Sequence, residues 1–519
     1  MRELSPEFKA YTWATPTDEV ARLAGIDPTQ VIRFDQNTPP LPLPSTRPGT
    51  IAGALAGISG YPAGGYRALR KAIADYNGVG PESVVLGVGA DDLILLCARA
   101  YAGPGDTIAI PEGTTYPVYK IAAQLAGAEV SYVRRDGTVE GNPALAFTCY
   151  PNSPTGEFRA LPTYRPLVVD EAYYEYSGRT VVPDLLADEG VIVLRTFSKS
   201  FALAGARVGY ALAAPATAAE LNARQAPAPI STISATLALA ALKSPPDVTP
   251  LLEERDRLAE QFRALGLEPN ESNANFVYVP VPDARALSDA LLKKGMVIRA
   301  YDDGIRVTVR DQDDDDALID AIAHILDRPS PVVEPKGRRV RHLRATAETR
   351  IAVRLGLDGE SRVSVQTGGG LYDHFLEQLA FHGGLDLLVD AVGDLETGDH
   401  HVVEDTALAL GEALDRALGD RRGIARYGDA VVPMDDAIAR AAVDLGGRPY
   451  TELSIEPDPG MASHFFISLA QAGRMAIHVE ASGRDAHHVA EAAYKAVGRA
   501  LRVALRQESA GIPSTKGLL

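Results

Sequence analysis

Two clusters near the C-terminal end repeat one arrangement of metal-binding residue types: His400, His401 and Glu404, then His487, His488 and Glu491. Positions four apart share a helix face, so His400 converges with Glu404 and His487 with Glu491. The neighbours His401 and His488 point about 100° away and must address something else, so two metal ions bridged by a duplicated scaffold would use all six of these groups. His374 and His464 lie at matching places upstream and would bring each of two metal ions to roughly four protein ligands. Imidazole-dominated ligation with carboxylates suits manganese, iron or zinc alike. A lone histidine is ordinarily a core or surface side chain. Two adjacent pairs, each with Glu at one offset and a matched upstream His, read instead as one metal-dependent catalytic site. A second chemistry lies far upstream. Lys199, in TFSKSFALAGARVGY, follows an apolar strand, with Arg207 eight positions on. Asp170 and Tyr173 stand at a strand end in DEAYYEY, PNSPTG makes a loop at 151–156, and GVGADD follows a strand at 87–92. A cofactor with a phosphate, a phenolic oxygen and a ring nitrogen would need all of these. Backbone N–H groups at Ala90 and Asp91 would take the phosphate at a helix start, with Ser198 and Arg207 adding charge-assisted bonds. Buried Asp170 would keep the ring nitrogen protonated, and Lys199 would hold the cofactor covalently.

These residues need elements to position them. From about 66 to 325, helical patterns alternate with the strands SVVLGV, DTIAIP, EVSYV, PLVVDEA, GVIVLRTFS and ARVGYALAA. That alternation predicts an open, largely parallel α/β sheet. A small α+β subdomain follows near 271–327, built on NFVYVPV, ARALSDALLKKG and GIRVTV. The aspartates Asp313 to Asp316 open its last helix and read as a solvated face that complements the helix dipole. Prolines at 39, 40, 42, 44 and 48 make the first 50 residues an extended arm. The expected domain map is 1–326, a proline-interrupted linker at 327–340, and 341–519. The last part passes twice through strand, helix with an early His, strand, and helix opened by His-His-x-x-Glu. This predicts a duplicated α+β domain.

The totals agree with two soluble enzymatic domains. At 519 residues the chain exceeds one ordinary domain, and 46% hydrophobic with 23% charged residues is a globular balance. A net charge of −17 argues against nucleic acid or an anionic membrane as partner, though not against small anions held in a local basic pocket. Two cysteines, Cys97 and Cys149, suit a reducing compartment. The start MRELSPEFKAYTW lacks a basic-then-apolar signal pattern, so a cytoplasmic location is expected. Histidine is distributed unevenly. The first of ten is His324, and nine fall between His342 and His488.

Residues 341–519 resemble the imidazoleglycerol-phosphate dehydratases through RATAET, LYDHFLEQLAFHG, GDHHVVEDTALALGEAL, VPMDDA, DLGGRPY, SHFF, HHVAEAAYKA and PSTKG, in family order. The resemblance implies histidine biosynthesis, with two Mn2+ ions holding the substrate's imidazole while water leaves its glycerol side chain. It also implies that Glu348 moves protons and that Gln378 contacts substrate. The phosphate would be held by His382, Arg426, Arg448, Ser514 and Lys516, with Lys495 lining the site. Residues 30–325 resemble the fold-type I pyridoxal-phosphate aminotransferases, most closely those acting on histidinol phosphate. There Tyr116 would stack on the cofactor, and Tyr61 would reach the phosphate of a partner subunit's cofactor. Arg299 and Arg306 would hold substrate phosphate or the carboxylate of the amino donor, glutamate. Ser153 stands where that family has the Asn that bonds the phenolic oxygen, so either Asn152 shifts to take the contact or Tyr173 carries it. Arg310 replaces a usual glycine, Tyr372 and Phe375 replace Leu and Met, and Asp485 replaces Asn. Both resemblances imply homo-oligomers with shared active sites.

Overall fold

The computed structural model describes residues 8, 10–11, 14–26, 28–39, 53–186, 188–332, 338–346, 348–359, 361–393, 399–458, 461–508 and 511. Two compact units divide the chain, Met1–Val332 and Val333–Leu519.

Seven strands form the main sheet of the first unit: β1 Val84–Gly87, β2 Thr107–Pro111, β3 Glu129–Val133, β4 Leu145–Cys149, β5 Leu167–Asp170, β6 Val191–Thr196 and β7 Gly209–Ala213. Their order is β1-β7-β6-β5-β4-β2-β3. β7 runs antiparallel to both neighbours and every other pairing is parallel. β4 is absent from the sequence expectation. All five of its residues are buried, so it lacks the alternation that marks a half-exposed strand. The carboxyl ends of these strands gather Asp170 at the end of β5, Ser198 and Lys199 just past β6, and helix α1 Gly89–Tyr101 just past β1. Open α/β sheets bind ligands at this edge. The small subdomain carries β8 Phe276–Pro280, β9 Arg299–Tyr301 and β10 Gly304–Thr308, joined in the order β9-β10-β8.

Helix α2, Gln312–Ile325, corrects the reading of the aspartate run. Asp314, Asp315 and Asp316 are buried. Asp311 caps the helix by accepting from the Asp314 N–H. Asp314 then takes Arg310 Nε at 2.7 Å, and Asp316 takes Arg257 at 2.7 Å. Arg310 therefore has a defined task, as the counter-ion of a buried carboxylate.

The second unit holds two sheets of identical plan. The first is built from β11 Arg339–Ala345, β12 Thr349–Gly356, β13 Val363–Gln366 and β14 Asp386–Gly393. The second uses β15 Tyr427–Met434, β16 Ala437–Asp444, β17 Tyr450–Glu456 and β18 Ala476–Ser482. Each repeat orders its strands first-second-fourth-third, with the last pair parallel. Each sheet thus has four strands where two were expected. β11 begins inside the expected linker. β16 and β17 are separated by a bend at Gly446–Gly447. Helices α3 Gly370–Gly383, α4 His400–Leu418, α5 Ala462–Ala472 and α6 Ala486–Ala504 pack on the sheets. Buried residues of both repeats form one continuous core. Packing is tight where α6 crosses β15: a Cβ at Gly428 would lie 2.0 Å from the Ala500 carbonyl oxygen.

Two candidate active sites

In the second unit the histidines assemble across the repeats. His374, from the first repeat, joins His487 and Glu491 of the second. His464, from the second, joins His400 and Glu404 of the first. In each trio one ligand atom per residue lies within 4.8 Å of the others. Glu491 Oε2 lies 3.5 Å from His374 Nε2 and 3.3 Å from His487 Nε2. Glu404 Oε2 lies 3.4 Å from His400 Nε2 and 3.3 Å from His464 Nε2. The latter nitrogen is buried and makes no hydrogen bond. Converging imidazoles and a carboxylate form a donor set that fits a divalent ion.

His401 and His488 stand apart from both trios. His401 Nδ1 lies 3.7 Å from Glu348, the expected proton carrier. His488 Nδ1 lies 2.7 Å from Asp436, which raises the imidazole's pKa. Lys495 Nζ sits 2.7 Å from Glu491. Burial favours protonated Glu491, but Lys495 and His374 outweigh it and hold the carboxyl below its ordinary range. Gln378 and His382 are half-buried on α3. Desolvation, with Lys495 and Arg499, lowers the His382 pKa. Arg426 sends Nε and Nη2 to Asp444 at 2.7 and 3.1 Å, whereas Arg448 is exposed. Ser514 and Lys516 lie outside the described residues.

In the first unit Lys199 Nζ hydrogen-bonds the Gln36 carbonyl at 3.3 Å. Desolvation, reinforced by Arg306, pushes its pKa down to about 8 from 10.5. Asp170 accepts from the Tyr119 hydroxyl at 2.6 Å and the Ala172 N–H at 3.0 Å, while burial pushes it up to about 6. Helix α1 starts at Gly89 with no side-chain cap, leaving the N–H groups of Ala90 and Asp91 at its positive end. Arg207 reaches over them to Asp91 at 3.1 Å, and Asp91 also takes the Tyr116 hydroxyl at 2.7 Å. Ser198 is buried beside Thr196. These donors fit a phosphate, and the buried Asp170 fits a cationic ring nitrogen. Arg299 and Arg306 are directly opposed on β9 and β10. Like charges placed so disfavour the pair unless an anion joins them, and buried Arg306 Nε has no hydrogen-bond partner. Tyr61 is 93% exposed.

Residues 29–322 match the class I and II aminotransferases, and residues 367–501 match imidazoleglycerol-phosphate dehydratase. The dehydratase of Methanothermobacter thermautotrophicus is 52% identical over 190 residues, which span 35% of this chain and 98% of that protein. That of Frankia casuarinae is 51% identical over 194 residues, 35% of this chain and 99% of that protein. The chain belongs to both families. Its first unit follows the structure of histidinol-phosphate aminotransferase from Sinorhizobium meliloti, solved with pyridoxal-5'-phosphate. That match has a TM-score of 0.56 and 25% identity, covering 63% of this chain and 98% of that one.

Several departures acquire reasons within this dehydratase and aminotransferase pair. Asp485 caps α6 by accepting from the His487 and His488 N–H groups, which fixes the first turn that carries both histidines. Phe375 packs against the His374 and His487 rings, and the Tyr372 hydroxyl donates to the Val403 carbonyl. Asn152 is fully buried and donates to the Thr114 carbonyl and Thr155 hydroxyl while accepting from Thr115, so its amide is committed to its own loop. Tyr173 receives Asn37 Nδ2 at 2.8 Å, and Ser153 also interacts with its hydroxyl. The sequence reading had no role for Asn37, Tyr119 or Asp436. VPMDDA was a visible motif, but only the fold brings Asp436 under His488.

Proposed function

We propose that the chain catalyses two consecutive steps of histidine biosynthesis. Its second unit dehydrates imidazoleglycerol phosphate to imidazole-acetol phosphate, and its first converts that ketone to histidinol phosphate with glutamate as amino donor. The observation that carries the pairing is the presence, in one chain, of two cross-repeat His/His/Glu trios and a Lys199–Asp170–Arg207 site. The product of the first chemistry is the ketone the second would aminate.

In the dehydratase unit, His374, His487 and Glu491 would hold one Mn2+, and His400, Glu404 and His464 the other. A bound divalent metal would favour loss of a proton from the substrate's imidazole near neutral pH. Glu348, beside His401, would help carry the proton lost from the substrate's carbon to the departing hydroxyl, so that it leaves as water. Lys495, His382 and Arg448, with Ser514 and Lys516, would seat the phosphate. Arg426 would join them only by sharing its fork with Asp444. In the aminotransferase unit, pyridoxal phosphate would supply the carbonyl that carries the amino group and the ring that accepts electrons. Lys199 would hold it and move a proton at the substrate's α-carbon. Asp170 would favour the protonated ring nitrogen, Tyr116 would cover the ring face, and Arg207, Ser198 and the α1 amides would grip the phosphate. Arg299 and Arg306 would select an anionic tail. Tyr61, exposed in one protomer, would serve the partner's site in a homo-oligomer.

Substrate profiling of the purified full chain tests this reading. The aminotransferase should prefer imidazole-acetol phosphate, and His400→Ala should abolish dehydration while leaving that preference intact. A strong preference for phenylpyruvate, or full dehydration by His400→Ala, would reject the assignment.

A further inference from the structure

The segment Asp35–Gln36–Asn37 comes from far away in sequence, yet it forms one wall of the Lys199 site. Its carbonyls are taken by two functional cations: Arg306 Nη2 donates to Asp35 O, and Lys199 Nζ to Gln36 O. The third residue acts through its side chain. Asn37 is buried and has φ of 54°, a left-handed conformation that Asn tolerates better than most residues. Its amide orientation is determined by hydrogen bonds on both sides. The Thr308 hydroxyl donates to Asn37 Oδ1 at 2.8 Å and accepts from the Asn37 N–H at 3.0 Å, closing a ring. Buried Asn275 Nδ2 donates to the Asn37 carbonyl at 3.1 Å. With Oδ1 committed as an acceptor, Nδ2 is the donor to Tyr173 Oη. A phenol that accepts from an amide keeps its own hydrogen for another acceptor. Lys199 Nζ lies 5.8 Å from the Tyr173 ring centroid, so this hydrogen belongs to the same site.

We propose that Asn37 is a positioning residue of the aminotransferase: its locked amide donates to Tyr173 and so directs the Tyr173 O–H to the phenolic oxygen of the cofactor. The proposal rests on reading the first unit as a pyridoxal-phosphate enzyme. It assigns to an N-terminal segment a task for which the amide of Asn152, committed to its own loop, is not free. A donor to the phenolic oxygen favours its anionic form and so lowers the pH at which the bound cofactor titrates. The groups facing Tyr173 that set this background are Arg306, Ser153 and Cys149, with Lys199 over its ring.

The test is the pH midpoint of the visible absorbance band of pyridoxal phosphate bound to the full chain. Asn37→Ala should raise that midpoint by about half a unit or more, the worth of one weakened hydrogen bond. Asn37→Asp, which keeps the shape but loses the donor when ionised, should raise it too. In a Tyr173→Phe background, Asn37→Ala should add nothing. Should Asn37→Ala fail to fold, Thr308→Val frees the amide to rotate and should shift the midpoint in the same direction. An unmoved midpoint in folded Asn37 or Thr308 variants, even with a lowered melting temperature, would overturn the proposal. So would equal shifts with and without the Tyr173 hydroxyl. If the unsubstituted chain binds no pyridoxal phosphate, the aminotransferase reading itself fails.

Discussion

Lys199 is the residue whose environment speaks most directly to its task. An ammonium that ordinarily holds its proton up to 10.5 is pushed to about 8 because it is desolvated and faces Arg306. The neutral amine is the form that attacks a carbonyl, so uptake of pyridoxal phosphate by the apo chain should rise through a midpoint near 8, followed by absorbance. The same shift has a stability consequence. The unfolded chain binds this proton more tightly, so stability rises with pH from about 8 to 10.5 as the folded state is relieved of a buried charge. Lys199→Ala should lose the visible band and at least about 100-fold in transamination, with dehydration unaffected. Lys199, Asp170, Arg207 and the paired histidines were legible in the sequence because residue type and local spacing announce their chemistry. Asn37 and Tyr119 were not. Asn37 meets Tyr173 across 136 residues, and Tyr119 meets Asp170 across 51. No local pattern encodes such contacts.

Among the elements, the duplicated unit is informative because each candidate metal trio takes a histidine from the other repeat. Each His/His/Glu trio thus draws on both repeats across the shared core. His374→Ala should therefore cost one of the two bound ions per chain and spare the other, as read by metal analysis after dialysis. Loss of both would mean a single coupled site. The buried Arg310–Asp314 pair predicts that Asp314→Ala destabilises the first unit by about 3 kcal/mol, since it strands an arginine in a poorly solvated place. A Cβ at Gly428 would strike the α6 backbone, so Gly428→Ala should cost about 2 kcal/mol and lower the melting temperature of the second unit. Long helices with periodic apolar faces were readable in advance. Several strands were not, for differing reasons. β4 is buried on both faces and shows no alternation, β13 is four residues long, and the turn between β11 and β12 sits inside an unbroken two-residue period. The acidic run was misjudged because composition cannot show which carboxylates meet Arg257 and Arg310.

At the scale of the molecule, two compact units carry two families' chemistry in a chain with net charge −17. Each unit answers that charge with local basic groups. The first opposes Arg299 and Arg306 across one strand pair, and the second sets Lys495 and Arg499 close to His382. Among the described residues, no helix is long and apolar enough to cross a membrane. Covalent linkage raises the local concentration of the ketone at the second catalyst, whether or not it is passed directly. The most direct test supplies the full chain with imidazoleglycerol phosphate, Mn2+, pyridoxal phosphate and glutamate, and follows the products. Histidinol phosphate should accumulate with 2-oxoglutarate, and Lys199→Ala should halt the sequence at imidazole-acetol phosphate. Accumulation of that ketone by the unsubstituted chain, with no amino transfer, would contradict the account.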